Sequence, residues 1–318
     1  MPADPLTDIV RSLNLSGGVF LEANLRAPWS IAAKITEEDC RPFMAVPHQI
    51  IAYHLVTDGQ MVVEIEGGVQ HVAKAGEIVF LPSNPMHILS SETGLPPTLG
   101  DELVLPPSGD GLARIKVSGQ GDETNLLCGF IASSAGPNPL LNSIPNLLII
   151  AIEQVATQRW LEASIAIAAQ ELTSGRVSSD AVTAQVSEIL LVEALRAYLE
   201  TEDRPKGWLA AMADPKIAHA LSLIHAADDG TQRISDLADE VGMSRTAFVT
   251  AFSNILGVSP GRYSLAHRMT KAKMMLRDSG FTIYEVAFRC GYDAPEAFSR
   301  AFKRETGHAP ADWKRSQE

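Results

Sequence analysis

The sequence predicts an α+β multidomain protein. Its expected parts are an N-terminal β-barrel or double-sheet roll, a helical connector, and an all-α C-terminal domain with two helix-turn-helix motifs joined by a linker helix. Three observations predict this. Between residue 18 and about residue 131, short apolar runs alternate with Gly, Pro and Asn. After Pro137 apolar residues recur at helical spacing. Residues 234–313 contain one pattern written twice. Many short, evenly spaced strands make a small barrel or roll, whereas a period of ~3.6 residues makes helices with one apolar face.

The strands are expected over 20–25, 31–34, 49–57, 61–66, 77–81, 113–117 and 126–131, with Asp58-Gly59 and Gly67-Gly68 as tight-turn pairs. Residues 93–111, rich in Pro, Gly and acidic side chains, read as a mobile loop. Helices follow over 154–173, where Ile165, Ala168 and Leu172 form a stripe, and over 181–200, where Val182, Val186, Ile189 and Leu190 do. Asp180 is placed to cap the second of these, and Pro205-Lys206-Gly207 breaks the chain after it. The longer stripe suits either self-association or packing on the chain's own barrel. Asp214 followed by Pro215 is a cap with proline at the first helical position, which starts a new domain. The division is therefore 1–136 for the barrel, 137–213 for the connector and 214–318 for the C-terminal domain.

Inside that last domain, Ala238 matches Ala287 and Gly242 matches Gly291, both 49 residues apart; Phe248 and Phe298, Phe252 and Phe302, Gly257 and Gly307, Pro260 and Pro310, and Tyr263 and Trp313 are all 50 apart. The added residue falls in the turn, where a length change costs least. A small alanine lets a second helix approach, the glycine makes the turn, and a Phe-x-x-x-Phe pair seats the second helix on the core. The first motif spans 233–254, the linker helix 260–279 and the second motif 282–305. In the linker, Leu265, Met269, Ala272 and Leu276 form an apolar seam. Two ordinary helical hairpins would also repeat, but this spacing is that of a pair of DNA-reading helices. A rigid strut would set them ~34 Å apart along a duplex.

Recognition helices present their N-terminal ends to the major groove. In the first copy that end is Ser244, Arg245 and Thr246, with Val249 and Thr250 a turn later; in the second it is Ala294, Pro295 and Glu296, then Ser299, Arg300, Lys303 and Arg304. The copies are unequal in charge, so the second is expected to supply more of the phosphate-derived affinity. For Arg300, an ion pair with Glu296 at i, i+4 is the ordinary alternative.

Charge supports this division. The whole chain has a net charge of −12, yet residues 216–318 hold 14 Lys+Arg against 12 Asp+Glu. The acidity belongs to the N-terminal part, where it discourages sliding on phosphate backbones or simply maintains solubility. No basic and apolar leader opens the sequence, and the apolar run 147–152 is too short to span a bilayer, so a cytoplasmic protein is expected. Cys40, Cys128 and Cys290 lack metal-ligand spacing and read as reduced packing thiols.

The C-terminal residues resemble the AraC/XylS family of bacterial transcription regulators. The resemblance rests on the segment from Ile234 to Arg245, on Gly257-Val258-Ser259-Pro260, on Val286-Ala287-Phe288-Arg289-Cys290-Gly291-Tyr292, and on Ala297 to Arg304. It departs from the family's pattern around Thr250 and Ala251, where arginines are usual. The N-terminal part resembles the cupin-type sensor of one branch of that family, through Tyr53-His54, Asp58-Gly59, 75–82, Pro85-Met86-His87 and Cys128-Gly129. The resemblance implies a cupin-like barrel, a double-stranded DNA operator and a small-molecule effector. Homodimerisation and contact with RNA polymerase are the further expected associations.

Many cupins hold a metal through His-x-His, a glutamate and a later histidine. Here Gly76-x5-Pro82-x4-His87 fits the second half, and His48 fits the second histidine, but Val46 and Ala52 replace the first histidine and the glutamate. His54 offers a third imidazole in another register. Three histidines, His48, His54 and His87, would suit a divalent metal such as Zn, Fe or Mn. Tyr53, His54 and His87 equally suit the polar wall of an effector pocket. The set falls short of a cupin enzyme's, and the chain has no nucleophile elbow or phosphate-cradling loop, so no catalytic residues are assigned. The rival reading is a metal-dependent cupin sensor or enzyme with a residual nucleic-acid-binding domain.

Overall fold

A computed structural model describes residues 5–11, 13, 15–40, 47, 49–65, 68–105, 113–133, 139–151, 179–201, 207–227, 232–277 and 280–315. These fall into two compact units, one comprising Asn14–Ser134 with Ile144–Asp203, the other Met1–Leu13, Ala135–Ser143 and Arg204–Glu318. Unlike the expected serial divisions at 136 and 213, each unit draws on separate stretches of the chain. Helix α1 (Pro5–Arg11) buries Leu6, Ile9 and Val10 and packs against a helix of the C-terminal unit, Pro215–Ala226.

The N-terminal unit is built on two sheets. The strands are β1 (Leu15–Arg26), β2 (Ser30–Ala33), β3 (Gln49–Asp58), β4 (Gln60–Ile65), β5 (Val69–Lys74), β6 (Glu77–Leu81), β7 (His87–Ser90), β8 (Thr98–Leu99), β9 (Val104–Leu105), β10 (Ala113–Val117), β11 (Glu123–Ser133) and β12 (Leu148–Ala151). One sheet runs β12-β6-β3-β11-β1-β10-β9 and the other β5-β4-β7-β2-β8. This is the double-sheet roll rather than a single closed barrel. Alternate residues of facing strands fill its interior: Leu21, Ala23 and Leu25 of β1, Ala52 and Val56 of β3, Met61 and Val63 of β4, Leu126, Cys128 and Phe130 of β11.

All seven expected strands form. β5, β7 and β12 are additional, since their short or mixed sequences give a weak period and they are recruited by pairing with β4, β2 and β6. The expected 93–111 loop is partly ordered for the same reason. β8 pairs with β2 and β9 with β10, with a short helix α2 (Gly100–Leu103) between them. The 154–173 helix and His48 lie outside the described residues.

Helix α3 (Ser179–Thr201) includes Asp180 rather than starting after it. It packs on β1 and β12, burying Leu190, Leu191, Ala194 and Leu195. A Cβ at Gly17 would lie 2.3 Å from Ser187 Oγ and 2.4 Å from the Phe130 carbonyl oxygen, so glycine is what admits the helix to the sheet. Of the expected stripe, Leu190 is buried in this contact, while Val186 and Ile189 are half-buried.

The C-terminal unit is helical: α4 (Gly207–Ala213), α5 (Pro215–Ala226), α6 (Ile234–Glu240), α7 (Arg245–Leu256), α8 (Pro260–Arg277), α9 (Ile283–Arg289), α10 (Pro295–Thr306) and α11 (Pro310–Arg315). Asp214 caps α5 as expected, accepting hydrogen bonds from the amides of Lys216 and Ile217 at 3.0 and 3.1 Å. Along α8, Met269, Ala272 and Leu276 bury their seam against Val286, Ala287, Cys290, Phe298 and Phe302 of the second motif.

Candidate nucleic-acid interface and ligand cavity

The duplicated sequence folds as duplicated structure. In the first motif Gly242 takes φ 64° and the Met243 amide donates to the Ala238 carbonyl at 2.9 Å; in the second Gly291 takes φ 72° and the Tyr292 amide donates to the Ala287 carbonyl at 3.0 Å. The left-handed backbone at both turns is one that a β-carbon disfavours. Ala238 and Ala287 are fully buried, as are Phe248, Phe252, Phe298 and Phe302. The ring pairs stand 5.6 Å apart in the first copy and 5.5 Å in the second. Tyr263 packs edge-on against Phe252, and Trp313 does the same against Phe302. Each recognition helix, α7 and α10, is thereby seated by its phenylalanines and presents its remaining face outward.

That outward face carries the residues expected to read DNA. Arg245, Thr246, Thr250, Glu296, Arg300, Lys303 and Arg304 are exposed, and Pro295 and Ser299 half-buried. Ser244 is exposed too, but its hydroxyl caps α7 by accepting from the Ala247 amide at 3.3 Å, a role that competes with base contact. Among the described residues, Arg300 has no carboxylate partner, so the expected alternative pairing with Glu296 does not form; Arg304 lies 3.6 Å from Glu305. Thus α10 presents Arg300 and Lys303 without a carboxylate partner among the described residues, and Arg304 beside Glu305, while α7 offers only Arg245.

In the N-terminal unit, a cavity of about 320 Å³ lies in the roll, lined by apolar side chains including Leu21, Ala23, Leu25, Ile31, Ile115 and Leu126. Lys34, Asp39 and Asp101 also line it, with Lys34 and Asp101 exposed. Its polar wall is made by His54, His87 and Cys128, one histidine from each sheet. His54 Nε2 is 2.8 Å from His87 Nε2, His54 Nδ1 is 3.0 Å from Cys128 Sγ, and His87 Nδ1 is 2.9 Å from the Pro85 carbonyl oxygen.

These distances define the protons. A carbonyl only accepts, so His87 carries its proton on Nδ1 and accepts at Nε2. His54 then donates from Nε2 and accepts the Cys128 S–H at Nδ1. All four imidazole nitrogens of the pair are satisfied with both rings neutral. Burial, and then proximity to His87, holds the His54 pKa well below its ordinary value. Burial lowers that of His87, with the Pro85 carbonyl opposing. Burial pushes the Cys128 thiol up to about 12, so it is a donor and not a nucleophile.

Of the proposed effector contacts, His54 and His87 are brought together. Tyr53 is corrected: strand alternation turns it to the other face of β3, where it is buried against Phe80 at 6.2 Å between rings, away from the cavity. The metal reading does not fit the residues described. The two Nε2 atoms are bonded to each other instead of converging on an ion, and Cys128 takes the remaining nitrogen of His54. Among the described residues no group of three or more His, Cys, Asp or Glu could hold a metal.

Two contributors escaped the sequence reading. Cys128 looked like a packing thiol, 74 residues from its partner. Asn84, at φ 45°, bonds through its amide to both the amide and the carbonyl of Ile35, at 3.2 and 2.7 Å, and so shapes the connection that delivers His87. An Asn after Leu-Pro-Ser and before Pro is the local sign of such a left-handed turn.

Residues 4–200 match the cupin family and residues 237–316 match a helix-turn-helix domain family. The chain is 26% identical over 317 residues to the HTH-type transcriptional regulator AlkR of Acinetobacter baylyi, covering 98% of this chain and 99% of that protein. It is 29% identical over 272 residues to a putative AraC-like transcription regulator of Streptomyces lividans, covering 84% and 87%. It is 24% identical over 315 residues to the HTH-type transcriptional regulator MtrA of Neisseria gonorrhoeae, covering 98% of each. With its duplicated motif, its exposed cationic recognition helix and these relatives, the chain belongs to the cupin family in its N-terminal part and is an AraC-type DNA-binding transcriptional regulator.

Proposed function

We propose that the roll binds a small, chiefly apolar effector and that its occupancy sets the affinity of the two recognition helices for an operator. The observation that carries this reading is the apolar cavity of about 320 Å³ with one self-satisfied polar wall. Its volume lies at the lower end of the ~300–1,000 Å³ typical of small-molecule sites. Neutral imidazoles and a protonated thiol suit binding rather than nucleophilic or metal chemistry. A ligand acts on DNA affinity only through its differential free energy for two states of the protein. In this reading α7 and α10 touch duplex DNA through Arg245, Thr246, Thr250, Pro295, Glu296, Ser299, Arg300, Lys303 and Arg304. A second copy of the chain and RNA polymerase are the remaining partners, in the cytoplasm. No described helix is long and apolar enough to cross a membrane.

The test is a thermal-shift screen of the full chain with linear alcohols, linear carboxylic acids and small aromatics. Operator binding by fluorescence anisotropy is then measured with each hit. A saturating ligand at ~100 Kd adds ~2.7 kcal/mol to the stability of the state it binds. Ala23→Leu, which fills the cavity, should abolish the shift. Persistence of the shift in that variant, or hits that stabilise the wild type without altering DNA affinity, would refute the reading.

A further inference from the structure

The first recognition helix is poor in charge, yet a strongly cationic feature stands beside it. A cleft of about 540 Å³ between the first motif and the linker helix is lined by Arg233, Arg245 and Arg268 together with Gln232, Ser235 and Ser264. No carboxylate lines it. Among the described residues none of the three arginines has a salt-bridge partner. Arg245 is the first residue of α7, so the cleft opens at the end of the helix that enters the groove. Arg268 is half-buried, its guanidinium stacked 5.3 Å from the centre of the Tyr292 ring, and its buried Nε has no hydrogen-bond partner. Three cations held together without a counter-ion repel one another, and a concave wall of one sign concentrates the field.

The second copy supplies the contrast. At the position of Arg233 stands Thr282, closed into a capping box with Glu285; at the position of Arg245 stands Pro295; and at the position of Ser264 stands Lys314, which donates to the Phe281 carbonyl at 2.7 Å. Where the first copy has two arginines and a serine, the second thus has a capping threonine, a proline and a lysine bonded to the backbone.

We infer that this cleft is a phosphate clamp that takes one backbone phosphate of the duplex flanking the first half-site. Guanidinium groups pair bidentately with phosphate oxygens, and the Ser264 hydroxyl and the Gln232 amide supply neutral donors, the Ser235 hydroxyl being committed to Asp236. The first motif thereby gains from its rear wall the backbone affinity that α7 lacks, while the second draws it from Arg300, Lys303 and Arg304. This goes beyond the effector reading and rests only on the chain's being a DNA-binding regulator.

The test uses the full-length protein and a labelled 30-bp random-sequence duplex, because a backbone contact carries no base information. Binding is titrated by anisotropy over a range of NaCl concentrations. Each phosphate contact contributes about 0.9 to the slope of log K against log salt. Arg233→Gln and Arg268→Gln should each weaken binding several-fold and flatten that slope by about one, while Arg268→Lys keeps the slope. Arg233 is exposed, so its variant folds irrespective of the role of Arg268 on Tyr292. Wild-type protein that fails to bind the duplex at low salt would refute DNA binding itself. Arg233→Gln and Arg268→Gln with the wild-type slope would overturn the clamp. So would a melting-temperature gain in inorganic phosphate over chloride at equal ionic strength that both variants lose while the slope stays, since the cleft would then hold free phosphate.

Discussion

Acidification should unseat the linker helix before it harms the rest of the C-terminal unit. His225 of α5 and His267 of α8 stack at 4.1 Å between ring centres, enclosed by Trp208 of α4 and by Tyr263, whose hydroxyl is 2.8 Å from His225 Nε2. Lys271, one turn along α8, donates to the Ala227 carbonyl at 3.1 Å. His267 Nε2 is buried without a hydrogen-bond partner. Burial, and then Lys271, lowers the His267 pKa from 6.5 to about 4; burial, His267 and Lys271 hold that of His225 well below its ordinary value. The folded-state pKa is depressed, so the unfolded chain binds the proton more tightly. The stability is therefore fully present above pH 6.5 and is lost as pH falls toward about 4. At ~1.36 kcal/mol per pH unit the loss amounts to about 3 kcal/mol for His267, of which about 2 is gone by pH 5. The pair counts as one step, because the first proton further disfavours the second.

The assay is a series of melting temperatures for wild type and His267→Phe between pH 7.5 and 4.5. Phenylalanine keeps the stacked ring and removes the titration. The two proteins should be similar at pH 7.5. At pH 5 the variant should melt several degrees higher, groups common to both cancelling in the difference. A difference that does not change with pH would refute the argument.

Two other outcomes are expected. Arg300→Ala with Lys303→Ala should flatten the salt slope of DNA binding by roughly 1.8, which changes the relative loss between 50 and 200 mM salt by about tenfold; an unaltered slope in anisotropy would show that α10 faces away from the duplex. Phe302→Ala should cost about 3–5 kcal/mol in urea unfolding, because its fully buried ring packs against Phe298 and Trp313; a cost below ~1 kcal/mol would mean that the second motif's core rearranges freely.

The two halves of the chain were legible to different degrees, for a physical reason. In the helical unit the determinants are local. An alanine, a glycine and a phenylalanine pair recurring at fixed spacing specify helix, turn and helix through interactions a few residues long. Those features predicted both motifs, the strut with its Leu265–Leu276 seam, and the exposure of Arg300 and Lys303. They also carried the AraC-type reading without any structure.

The roll obeys non-local rules. Which neighbour a strand takes depends on partners tens of residues away, so β5, β7 and β12 left little mark in the sequence, and Tyr53 and His54 were read as one site although strand alternation sends them to opposite faces. Only the fold brings His54 to His87 and Cys128, and only their mutual hydrogen bonds turn a plausible metal set into a neutral wall. The arginine cleft is of the same kind. Arg233, Arg245 and Arg268 lie on three separate segments, and packing of the linker helix on the first motif makes them neighbours. The sequence by itself determined the helices, the duplication and the family. Tertiary structure decided which side chains share a cavity, because direction and distance across a fold are properties of packing and not of order along the chain.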